Sequence, residues 1–198
     1  MSDYNVLADV GQALIDVLWA EISSDSQLTL IINSSDLISL ESPAENNDTG
    51  GGSAILSVYL YRITEDAFMK NAGPVEGNGG RLRKPPMALD LYYLITPMLK
   101  TPHDQQIVLG KVMRVLYDHS VLNVGGSTGG PPLRVIFNAV PLNELSWIWQ
   151  ALETPYRLSA NYVVRVTMLD STDEAYRARV LSEESIFEPN TRLASTGR

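Results

Sequence analysis

Residues 86–97 read PMALDLYYLITP, and within them residues 89–95 decide the architecture. Leu89, Leu91, Tyr93 and Ile95 fall at every second position, so an extended chain places them all on one side. Pro97 stops the strand, because its nitrogen has no hydrogen to donate to a ladder. Residues 54–63 (AILSVYLYRI) repeat the pattern. Leu56, Val58 and Leu60 share one face there, and Ser57, Tyr59 and Tyr61 the other. Further strands are expected at residues 28–32 (LTLII), 133–140 and 161–169.

The period changes elsewhere. In residues 3–22, Val6, Leu7, Val10, Leu14, Val17 and Leu18 recur at helical spacing, against a polar stripe of Asn5, Asp9, Gln12 and Asp16. Ser2 or Asp3 caps the start, and Ser23–Ser24 mark the end. Residues 101–118 carry Thr101 at the cap, Pro102 in the first turn and Asp104 three residues past the cap, which is a capping box with an N1 proline. Val108, Val112, Val115 and Leu116 then face inward, and Lys111, Arg114 and Asp118 outward. In residues 143–152, Leu145, Ile148, Trp149 and Leu152 make a short apolar face. Residues 41–53, 71–80 and 125–132 are rich in Gly, Asn, Pro and Ser and read as loops. Helices and strands alternate without a βαβ rhythm. The fold class expected is therefore α+β, a single mostly antiparallel or mixed sheet with helices packed against it. Residues 1–170 form that body, and residues 171–198 are a polar extension.

The chain has 198 residues, of which 44% are hydrophobic and 19% charged, enough for a buried core. It contains no cysteine, which excludes disulfides, thiolate metal sites and cysteine nucleophiles. No apolar run reaches the roughly 20 residues that span a bilayer. The acidic amphipathic start is unlike a secretory signal, so cytoplasmic synthesis and assembly are expected. The net charge of −8 is unevenly placed. Nine acidic residues and no Lys or Arg precede Arg62, whereas the remainder balances 14 acids against 15 bases. That distribution disfavours nucleic acid as a partner and suits docking on a basic protein surface, or it serves solubility.

Catalytic chemistry has no foothold in the sequence. His103 and His119 sit near opposite ends of one helix and cannot share a metal at i, i+4 spacing. Residues 125–130 (GGSTGG) lack the lysine of a phosphate loop and precede a strand. The acid pairs Asp173–Glu174 and Glu183–Glu184 read as solvated charge. No catalytic, cofactor or metal site is expected. Interfacial residues are the better candidates. Trp147 stands about 200° around the helix from Trp149, so if one is buried the other points outward. Trp19 lies beside the polar stripe of the first helix. Arg81, Arg83 and Lys84 form a basic run that faces a protein or merely solvent. Val180, Leu181, Ile186 and Phe187 are apolar patches in the otherwise polar tail.

Four blocks in order resemble one family. They are residues 56–71 (LSVYLYRITEDAFMKN), residues 86–97, residues 103–122 (HDQQIVLGKVMRVLYDHSVL) and residues 149–162 (WQALETPYRLSANY). The last three are similar to the family patterns PLxLDLxYLLTP, LGxVMRxLYDHxVL and WxxLxTPYRxSxxY. The family is that of cap proteins, or tail terminators, of extracellular phage-tail-like contractile injection systems. Residues 41–53, 71–80 and the tail after Asp170 depart from its pattern. The resemblance implies a tail-terminator-like fold and a structural, non-enzymatic role. It implies a hexameric homo-oligomer, a ring that ends inner-tube polymerisation and anchors the last sheath ring. The partners implied are inner tube protein and sheath protein, with no nucleic acid and no direct membrane contact, in a particle released or membrane-associated. A strand from residues 180–187 would add to an edge of the sheath protein. The alternatives are a tube-end adaptor or baseplate part of the same particle, and a small enzyme or ligand-binding module.

Overall fold

The computed structural model describes residues 3–45, 54–69, 73, 75–76, 81–123, 132–169 and 174–176. Its helices are α1 (Val6–Ser23), α2 (Pro102–Asp118) and α3 (Leu142–Ala151). Its strands are β1 (Ile38–Ser39), β2 (Leu56–Glu65), β3 (Val75–Glu76), β4 (Arg81–Arg83), β5 (Met87–Pro97), β6 (Val121–Leu122), β7 (Leu133–Phe137), β8 (Ala160–Leu169) and β9 (Glu174–Tyr176). The main sheet has six strands in the order β1-β2-β5-β8-β7-β6. Only β1 and β2 run parallel, and every other neighbour is antiparallel. The stretch quoted first is thus an interior strand, flanked by β2 and β8.

The expected alternation explains the layers. Leu89, Leu91, Tyr93 and Ile95 enter the core with Leu56 and Val58 of β2, Leu133 and Val135 of β7, and Ala160, Tyr162 and Val164 of β8. From above, α1 contributes Val10, Leu14, Ile15, Leu18 and Ile22, and α2 contributes Val108, Leu109, Val112, Val115 and Leu116. Both helices lie on this face. The other face is not left bare: Leu94 and Val163 are also buried, at 0% and 4% exposure. They belong to the opposite pleat, and α3 covers that side. A sheet buried on both faces reads as near-continuous apolar sequence, which is why LYYLI lacks a polar alternate.

Four expectations are corrected. Residues 28–32 are not a strand. Thr29 donates its N–H to Asp25, and Ile31 and Ile32 donate theirs to Leu28, so the segment is a helical turn. The turn buries Leu28 and Ile32, four residues apart, and the Asp25 carboxylate caps it through the N–H groups of Gln27 and Leu28 at 3.1 and 3.4 Å. Those bonds hold the Asp25 carboxyl below its ordinary value, with Lys111 adding to them. Lys111 is accordingly not a free outward charge: its Nζ lies 3.6 Å from Asp25 Oδ2. At α2 the Thr101 side chain makes no cap hydrogen bond, although Pro102 opens the helix as expected. The Gln105 side chain instead ties the entry loop, donating to the Leu99 carbonyl at 2.6 Å. Finally, the sheet is not single, because β3, β4 and β9 form a second three-stranded sheet. These strands are two or three residues long, too short for a period to register, and they come from the Gly-rich loop, the basic run and the tail.

Candidate interaction surface

A register shift in β2 builds the outer side of the sheet. Leu60 pairs with Tyr93 and Arg62 with Tyr92, which leaves Tyr61 as an extra residue. Such a bulge brings two successive side chains to the same side. The Arg62 guanidinium stands 5.1 Å from the centre of the Tyr92 ring, and Tyr61 meets the same ring edge-on at 6.3 Å. Tyr61 also lines one groove with Asn138, beyond the end of β7. Asn138 is three strands away in the sheet, so the sheet must curl to let them share it. Burial raises the Tyr61 phenol above its ordinary value, more than Arg62 lowers it.

Over this concave side lies α3. Trp149 is 2% exposed and Trp147 is 63% exposed, as their angular separation requires. The helix ends in a tight left-handed turn. Glu153 has φ of 54°, its N–H bonds to Gln150, and the N–H of Thr154 bonds to the Trp149 carbonyl. That is a Schellman ending with a non-glycine residue at the left-handed position. It folds the following chain back so that Tyr156 meets Trp149 edge-on at 6.2 Å. The TPYR segment is thus a connection between α3 and β8. Between α3 and β2 runs an open groove of about 590 Å³, with Tyr59, Tyr61, Trp147 and Ile148 as apolar walls and Arg62 and Glu144 as charges.

The rest of the outer face is charged. Arg134 and Arg165 are register partners on β7 and β8, each alternating with core residues, so both point away from α1 and α2. Arg165 Nε lies 3.8 Å from Oδ2 of Asp90, which sits between Leu89 and Leu91 on the same outer pleat. Asp90 is buried, and its Oδ1 has no hydrogen-bond partner. Burial raises its carboxyl above the ordinary value, Arg165 pulls it down, and Asp66 pushes it up again. Asp66 is buried as well, and its Oδ1 accepts the N–H groups of Phe68 and Met69 at 2.8 and 3.0 Å.

The residues singled out from the sequence do not converge on one patch. Trp147 lines the groove. Trp19 is half-buried and packs on the core of the other face, because Ile15 and Ile22 widen the apolar stripe of α1 toward it. Arg81 and Arg83 belong to β4, the middle strand of the small sheet, and Lys84 is exposed just after it. Val180, Leu181, Ile186 and Phe187 lie outside the described residues. Sequence reasoning passed over Tyr59, Tyr61 and Arg62 as surface builders. Tyr59 and Tyr61 carried a signal, since they fall on the pleat opposite Leu56 and Val58, whereas Arg62 did not, because only the register shift turns it to that side. It also passed over Asp90, a lone acid in an apolar strand. Among the described residues no group of His, Asp and Glu is gathered as a metal site, and no helix is long and apolar enough to cross a membrane.

Two solved structures share the fold. One is the sheath/tube terminator, in the extended state, of an extracellular contractile injection system termed PVC, with a TM-score of 0.60 and 24% identity. The other is the tube-terminating cap of the anti-feeding prophage, with a TM-score of 0.54 and 23% identity. Each similarity covers 96% of this chain, but only 65% and 61% of the respective relative, so the chain spans less than two thirds of either. No curated protein sequence matches it. The family comparison reaches further into the sequence, for residues 9–183 match the Pvc16 N-terminal domain, and the chain belongs to the Pvc16 N-terminal domain family.

Proposed function

We propose that this protein is a structural cap of a contractile injection system. In this reading copies of the chain form a hexameric ring that ends inner-tube polymerisation and anchors the terminal sheath ring. The observation that carries it is a fold shared, over 96% of the chain, with both a sheath/tube terminator and a tube-terminating cap. A non-enzymatic role accords with the terminator and the cap that share the fold. The partners are inner tube protein and sheath protein. Residues 1–170 serve as the ring-forming body and residues 171–198 as an arm, whose Val180, Leu181, Ile186 and Phe187 add to an edge of the sheath protein. Trp19, Trp147, Arg81, Arg83 and Lys84 serve as contacts within the particle. Synthesis and assembly take place in the cytoplasm, into a particle later released or membrane-associated.

The test is native mass measurement and electron microscopy of the purified protein with and without inner tube. A hexameric mass and density at tube ends are expected. Removing residues 177–198, which spares β9, is expected to keep the ring and lose sheath co-purification. A monomer that ignores tube ends overturns the reading, and retained sheath overturns the role of the arm.

A further inference from the structure

The exposed charges of α1 and those of the outer pleat of β2, β7 and β8 are of opposite sign. On the helical side, Asp9 and Asp16 are exposed on α1 seven residues apart, hence on one face. No Lys or Arg precedes Arg62 to neutralise them. Glu21 and Asp25 are already engaged, by His119 at 3.4 Å and Lys111 at 3.6 Å. On the outer side, Arg62, Arg134 and Arg165 project from β2, β7 and β8. The acids near them are Asp90, buried against Arg165, Asp66, buried beside Asp90 and bonded to the N–H groups of Phe68 and Met69, and Glu144 at the groove. Arg134 has no acidic partner among the described residues. It stands directly opposite Arg165 across the ladder, and like charges so placed destabilise a strand pair. An external anion would relieve that repulsion, and Ile136 beside them, 41% exposed, offers apolar area.

We propose that the acidic ridge of α1 in one copy docks on the Arg62–Arg134–Arg165 face of the next copy. The inference rests on the ring reading above and names its contact. The two faces lie on opposite sides of one sheet, so they cannot meet within a molecule. A two-fold pairing of either face with itself would bring like charges together. The contact is therefore heterologous, head to tail, the kind that closes into rings.

The experiment uses the full chain and two variants of exposed residues. Asp9→Lys with Asp16→Lys makes both faces basic, and Arg62→Glu with Arg134→Glu makes both acidic. Mass photometry is read at low and high salt, with circular dichroism to confirm folding. Each variant alone is expected to lose the ring at least about tenfold in association constant, as reversed charges at a close interface do. An equimolar mixture is expected to restore it, since the reversed ridge of the first variant fits the reversed sheet face of the second, and the unaltered ridge of the second fits the unaltered sheet face of the first. Neutral counterparts, Asp9→Asn with Asp16→Asn and Arg134→Gln, stand in if a reversed variant misfolds, and are expected to weaken the ring less. Rings that persist in either folded variant, or folded variants that fail to recombine, overturn the contact while leaving the cap reading standing. A wild-type protein that forms no ring overturns both.

Discussion

Trp147 and Trp149 show how far two residues of one kind, two positions apart on a helix, diverge in consequence. Trp149 is buried and meets Tyr156 edge-on, whereas Trp147 stands at the groove wall. Trp149→Ala is expected to cost about 3–5 kcal/mol, the range for emptying a buried aromatic site. Trp147→Ala is expected to stay within about 0.5 kcal/mol. Thermal and urea unfolding of both variants checks this, and equal losses would refute the burial asymmetry. Asp90 makes a prediction in pH. An acid whose carboxyl is raised in the folded state is penalised when ionised, so its contribution to stability falls as pH climbs from the ordinary value of 3.8 through the raised one. Asp90→Asn removes that penalty. The variant is expected to melt higher than wild type at neutral pH, with the advantage vanishing below pH 3.8, where wild type is itself neutral. A variant that melts lower at neutral pH would mean that the contact with Arg165 outweighs the burial.

Each secondary element follows a local rule only where the rule has room to repeat. In α2, Gly110 is exposed, its backbone is ordinary helix, and a methyl group there meets nothing within 4 Å. Gly110→Ala is expected to stabilise by about 0.8–1 kcal/mol through helix propensity alone, raising the melting temperature by roughly 2–4 °C for a domain of this size. Gly11 of α1 differs, because a methyl group there falls 2.8 Å from the Leu40 side chain, so no such gain is expected. The long elements were legible in the sequence because ten or more residues carry their period: all four inward positions named for α2 are buried, as are the β5 positions. Residues 28–32 were not legible, since Leu28 and Ile32 fit both a strand of period two and a single turn of period four. The ending of α3 was not either, because Glu153 takes a conformation that glycine usually signals.

At the scale of the whole molecule, the acidic first third was plain from composition, but its counterpart was not. Arg62, Arg134 and Arg165 are far apart in the chain, and only the register of β2, β5, β8 and β7 sets them on one face. A pattern carried by pairing has no sequence period, which is why the groove and the arginine face escaped a reading that found the core. Pairing also governs timing. The free side of β5 is filled by β8, which begins only at Ala160, and α1 itself rests on α2, β1, β2 and β8. On a ribosome adding about 5–20 residues per second, α1 waits on the order of ten seconds before its last support emerges. The apolar stripe of a nascent α1 is thus a natural resting place for a chaperone, and no copy can offer both of its charged faces to a neighbour until β8 has been made.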